Sequence, residues 1–221
     1  MAISNHRGAV IFMAITALLG WIGLGLQLNI LISAAHEAGE TGWQATIRFL
    51  SYFTVLTNLL AALNLTIILA FPVSSFGLFL ARPSMQTAIT CYLIVVSAGY
   101  NFLLRHLWSP SGTQFWADEL LHDIVPLLYF IYWLFFVVKG KLNGLHPLSW
   151  LVYPFIFLLY MLMRGSLDGF YPYPFLNVEQ IGYKSVAQNA ACLMLAFLVV
   201  SYFLIVIDKL LYRRKQRMVI T

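Results

Sequence analysis

The sequence predicts an all-α polytopic membrane protein, six transmembrane helices in one bundle with the N and C termini cytoplasmic. Three observations lead there. Of 221 residues, 61% are hydrophobic and 10% charged, with a mean hydropathy of +0.83, far less charge than a water-facing surface requires. Six apolar runs are each long enough to supply the roughly 20 residues that cross about 30 Å of hydrocarbon as a helix. The basic residues gather on one side of those runs.

The runs lie near residues 9–34, 46–71, 87–108, 116–138, 146–164 and 184–211. The first is too long for the apolar part of a signal peptide and has no small-x-small cleavage site after it, so it reads as a helix. Pro126 and Pro154 fall inside the fourth and fifth runs and predict kinks there. Connections are short, with no internal repeat and no low-complexity tract, which predicts a single domain over 1–221.

Short loops rich in Lys and Arg stay on the cytoplasmic side. Arg7, Arg82, Lys139, Lys141, Lys209, Arg213, Arg214, Lys215 and Arg217 fall on one side, nine of the thirteen basic residues. Arg48, Arg105, Arg164 and Lys184 fall on the other. The acids divide the opposite way, with only Asp208 on the basic side. This predicts a multi-pass protein of a cell inner membrane. The net charge of +5 is then a topological signal, and the tail YRRKQR is suited to anionic lipid headgroups; it makes no case for nucleic acid. Cys91 and Cys192 sit at depths too different for a disulfide and read as small hydrophobes.

Polar groups inside hydrocarbon are costly, so a layer of them is a functional hypothesis. Counted from the outer ends of the runs at 1.5 Å per residue, Thr54 lies about 12 Å down, His122 about 9 Å, and Asn101 and Asn189 about 8 to 10 Å. Ser51, Thr54 and Asn58 share one helix face. In ADELLHDIVP, Asp118 and Glu119 precede His122 by four and three residues, so either carboxylate can hold one ring nitrogen protonated and leave the other as a base. Arg105 and Arg164 place positive charge at the mouth, with His106 beside Arg105. Together these are the parts of a nucleophilic hydrolase: a hydroxyl, a base, an orienting acid and donors for an oxyanion.

Each residue also has a plainer reading. Threonine in a membrane helix commonly bonds the carbonyl one turn back, buried amides join helices, and arginine at a helix end anchors topology. Thr57, one turn beyond Thr54, is an alternative nucleophile. The connection RGSLDGFYPYPFLNVEQIG reads as an interfacial aromatic belt or as a lid over the pocket. A haem site built on His36, His106 and His122 is disfavoured, because no helix carries two histidines at ligand spacing.

The strings SYFTVLTNLL in the second run and ADELLHDIVPLLYFIYW in the fourth resemble the membrane family of androgen-induced protein and androgen-dependent TFPI-regulating protein. The chain is still more similar to bacterial six-helix relatives, in which YNFLLRHLW and LMRGSLDGFYPYPFL also recur. The resemblance spans nearly the whole chain. It implies hydrolysis of fatty acid esters of hydroxy fatty acids by a threonine in a Tyr-x-Thr setting of helix 2 and a histidine early in helix 4. Tyr52-Phe53-Thr54 and His122 occupy those positions. The orienting role of Asp118 or Glu119 rests on spacing alone.

The resulting expectation is a lipid-ester hydrolase with an outer pocket between helices 2, 3, 4 and 6. Thr54 attacks, His122 is the base, and Asp118 or Glu119 orients it. Asn58 or Asn101 donates to the oxyanion, Asn189 joins the polar layer around the substrate, and Arg105 or Arg164 binds a substrate carboxylate. The partners are membrane lipid and a lipid-like substrate, and no metal or organic cofactor is implied. The alternative is a non-catalytic lipid-binding or small-molecule transport protein that uses the same pocket.

Overall fold

The computed structural model describes residues 7–107 and 109–220. The described residues form helices and no strand. Among the described residues, six helical stretches are long and apolar enough to cross a membrane: Arg7–Glu37, Phe53–Ala70, Pro83–Leu107, Gly112–Phe136, His146–Asp168 and Val178–Arg217.

Within these spans the α-helices are α1 (Arg7–Glu37), α3 (Phe53–Ala70), α5 (Pro83–Gly99), α6 (Gly112–Glu119), α7 (Val125–Phe136), α8 (His146–Trp150), α9 (Val152–Asp168) and α10 (Val178–Ile220). Two short helices, α2 (Gly42–Phe49) and α4 (Ser75–Leu80), lie in connections. Single π-helical turns occupy Tyr100–Leu104 and Leu120–Ile124.

The second span departs from the expected continuous helix over 46–71. A capping box between Thr41 and Gln44 starts α2 as a separate helix. The chain then turns at Leu50–Tyr52, where Tyr52 is extended at φ −91° and ψ 127° and becomes the N-cap of α3. Thr54 therefore sits in the first turn of its span, not some 12 Å inside it. The fourth span begins earlier than expected, at Gly112, which sets His122 about 15 Å from its start at 1.5 Å per residue. The sixth span begins at Val178 and bends at Gly182, whose φ of 75° and ψ of 158° break the helix.

The core is aromatic and wide. Tyr129, Tyr132 and Trp133 of α7 are fully buried against Leu65, Ile89, Leu93 and Leu204. A buried polar knot joins three helices there: the Tyr129 hydroxyl lies 2.9 Å from both Asn64 Oδ1 and Gln86 Oε1 and shares its one proton between them, and Gln86 Nε2 donates to Asn64 Oδ1 at 3.0 Å. Such bonds join helices where the surroundings offer no water. The outer surface is apolar, with Ile11, Phe102, Phe135 and Val199 exposed, as a lipid-facing bundle requires. Glycine lets the first span approach closely. A Cβ at Gly23 would lie 2.9 Å from Leu121 Cδ2, and one at Gly20 would lie 3.3 Å from Ala62 Cβ. Gly23 thus seats the π turn that carries His122.

Candidate functional site

Connections 38–52 and 169–177 meet at one end of the bundle, where Tyr52 packs edge to face on Phe170 and Tyr173, and the polar residues singled out by sequence collect near them. His122 lies in the Leu120–Ile124 π turn, where the Val125 N–H reaches back to the Leu120 carbonyl. Such turns break the regular i→i−4 pattern and recur at functional sites. The Asp118 backbone carbonyl here accepts a hydrogen bond from His122 Nδ1 at 3.0 Å. A carbonyl only accepts, so Nδ1 carries a proton, and in the neutral form of the ring the lone pair is on Nε2. The imidazole stacks on Tyr100, with centroids 3.7 Å apart and planes at 15°.

The expected orienting carboxylate is thereby replaced by a backbone carbonyl. The Asp118 carboxylate instead accepts from the Tyr100 hydroxyl and from Gln114 Nε2, each at 2.9 Å, and so fixes the ring on which His122 stacks. Glu119 accepts from Arg105 Nη1 at 2.9 Å. Arg105 also pairs with Asp123 and lies 5.1 Å over the Tyr100 ring. Asn101 Nδ2 donates to Asp123 at 2.7 Å and to the Ser97 carbonyl at 3.0 Å. Arg105 therefore ties two carboxylates together at the mouth, where a substrate carboxylate was expected to bind.

Thr54 approaches from α3. Its neighbour Tyr173, in the 169–177 connection, places its hydroxyl against the open N-terminal turn of that helix. The Phe53 N–H donates to this hydroxyl at 2.9 Å, and the side chain and backbone of Thr54 interact with it as well. Burial pushes the Tyr173 phenol up to about 12, against the pull of these contacts, so it is a proton donor at neutral pH. Thr57, by contrast, is fully buried and bonded to the Tyr153 hydroxyl at 3.1 Å.

A cavity of about 300 Å³ opens at this point, and Thr54 and His122 both line it, with Tyr52, Tyr100, Asp118 and Tyr173. A second, apolar cavity of about 100 Å³ shares Thr54, Tyr100, Leu104 and Tyr173, then runs between Pro154, Phe157, Met194 and Phe197. Thr54 thus stands where a chamber that carries His122 and Asp118 meets an apolar one.

The remaining expected site residues lie around this junction. Both Nδ2 hydrogens of Asn58 are used, on the Thr54 and Leu121 carbonyls at 2.9 Å each, which fastens α3 to the π turn. Neither Asn58 nor Asn101 keeps a free amide donor for an oxyanion. Asn189 donates to the Phe175 carbonyl at 2.9 Å and anchors the 169–177 connection. The sixth span does not line the 300 Å³ chamber, because Tyr173 and its neighbouring prolines fill that side. Arg164 faces a different cavity. Sequence reasoning missed Tyr100, Gln114 and Tyr173. The aromatic cluster FYPYPF was the one available signal for Tyr173, whereas Tyr100 and Gln114 acquire their roles only from packing.

No known protein family, curated protein or solved structure matches the chain.

Proposed function

We propose that the chain is a membrane hydrolase of lipid esters, with Thr54 as nucleophile and His122 as base. The observation that carries this reading is the shared chamber: Thr54 and a histidine whose Nδ1 is bound to a backbone carbonyl line one 300 Å³ space, and an apolar cavity begins at the same threonine. The sequence resemblance to the androgen-induced protein family supports the same pair of residues.

In this mechanism Thr54 Oγ1 attacks the ester carbonyl carbon and passes its proton to His122 Nε2. The oxyanion forms beside the first turn of α3, where the Tyr173 hydroxyl donates to it, a role the committed amides of Asn58 and Asn101 leave open. Cleavage of the C–O bond releases the alcohol, which takes the proton from His122. Water then attacks the acyl-threonine and gives a proton to His122, and the acid leaves as that proton returns to Thr54. Stacking on Tyr100, itself held by Asp118, fixes the imidazole plane throughout. The membrane is a cell inner membrane with both termini cytoplasmic, as the basic residues indicate.

The test is release of free fatty acid from an ester of a hydroxy fatty acid by the protein in lipid nanodiscs. Wild type is expected to turn over, and His122→Gln to lose turnover by 10² or more while melting within a few degrees of wild type. Binding of the ester without turnover by folded wild type would refute catalysis and favour the lipid-binding alternative.

A further inference from the structure

A separate cavity of about 360 Å³ lies between α2 and the end of α9, lined by Gln44, Arg48, Arg164, Asp168 and Phe170 among others. The pair Tyr52 and Phe170, packed edge to face at 6.4 Å, stands between it and the Thr54 chamber.

Two guanidinium groups converge on one ring in this cavity. Arg164 Cζ is 4.7 Å and Arg48 Cζ 5.6 Å from the Phe170 centroid. Both are held in place. Arg164 Nε donates to Asp168 at 3.1 Å and its Nη1 to the Ile47 carbonyl at 2.8 Å, while Arg48 Nη2 donates to Glu40 at 3.1 Å. A guanidinium carries five N–H donors. Arg48 therefore keeps Nε and Nη1, and Arg164 keeps Nη2, without a protein partner among the described residues. Two fixed forks with spare donors in one cavity are suited to a tetrahedral oxyanion, above all phosphate.

The surroundings favour a lipid as its source. Trp43 on α2 and Trp116 on α6 are exposed at this end of the bundle, as the tryptophans of a headgroup-level girdle are. The α2 helix joins the end of the first span to the start of the second, where the headgroup layer of a bilayer around the bundle would fall. We propose that this cavity binds the phosphate of a membrane glycerophospholipid between Arg48 and Arg164, a site independent of the ester hydrolysis proposed for Thr54.

Native mass spectrometry of the full chain released from detergent tests this with phosphatidylglycerol, diacylglycerol of the same chains, and inorganic phosphate as probes. Phosphatidylglycerol is expected to be retained and diacylglycerol lost. Arg48→Gln, which breaks a partly exposed ion pair with Glu40 and the contact with the Phe170 ring, is expected to weaken retention about tenfold or more while shifting the melting temperature by no more than a few degrees. Glu40→Gln, which removes the competing carboxylate, is expected to strengthen it. Equal retention by wild type and Arg48→Gln, or equal retention of diacylglycerol, would overturn the proposal. Arg48-dependent binding of inorganic phosphate with no retained lipid would overturn the lipid assignment and give the site to soluble phosphate.

Discussion

Gly165 is the narrowest point in the support of the candidate site, and replacing it with alanine has a calculable effect. An added Cβ would lie 2.0 Å from Tyr171 Cζ, 2.1 Å from Cε1 and 2.6 Å from the hydroxyl. Carbon contacts relax at about 3.5 Å, so the ring must withdraw by roughly 1.5 Å. Tyr171 is two residues from Tyr173, whose hydroxyl sits on the Phe53 N–H beside Thr54. Overpacking of this kind costs about 1–3 kcal/mol, while alanine gains up to about 1 kcal/mol of helix propensity in α9. Steric cost wins, and a net loss of about 1–2 kcal/mol is expected, a fall of a few degrees in melting temperature for a chain of this size. Fluorophosphonate labelling should slow in the same variant, because Tyr173 moves with the ring. The double variant Gly165→Ala/Tyr171→Ala should recover both, since the clash is then absent. A single variant as stable and as reactive as wild type, or a double variant with no recovery, would refute the coupling between Gly165 and the site.

Three further outcomes follow from the same geometry. Asn58→Leu leaves the Leu121 carbonyl without its donor in a buried setting, and should cost about 1–3 kcal/mol in thermal unfolding while slowing labelling at Thr54. Exchanging Arg105 for Gln frees Glu119 and Asp123 from their common partner. The groups are partly exposed, so the stability loss should stay near 1 kcal/mol, but the field beside Tyr100 and His122 changes and the pH dependence of turnover should shift. Burial lowers Lys139 from its ordinary 10.5 to about 8, against the pull of Asp208. Between those values the unfolded chain binds more protons than the folded one, so stability rises with pH across that window. Lys139→Met should lack this rise, and a melting-temperature difference from wild type that is constant between pH 7.5 and 10 would contradict it.

The six spans were legible because length and hydropathy alone decide whether a helix can cross a bilayer. The break before Phe53 was not, since an apolar run continues through it; the signal was the Thr41/Gln44 capping box, which terminates nothing unless the chain also turns at Tyr52. Grouping Thr54 with His122 was within reach of helix periodicity, even though both depths were miscounted. Their shared cavity arises from three dimensions: Gly23 admits Leu121, and Asn58 ties that turn to α3. What sequence cannot express is which donors are already spent. Asn58, Asn101 and Arg105 look available as residues and are committed as atoms. The two π turns share that origin, because no residue type marks them and tertiary packing selects them.

The activated Thr54/His122 pair is tested most directly by the site of a fluorophosphonate adduct, read by intact mass and fragment mapping of the folded protein. One adduct on Thr54 is expected, absent from Thr54→Ala and from a folded His122→Ala, and insensitive to Thr57→Val. An adduct mapped to another residue, or none on wild type that melts cooperatively, would contradict it.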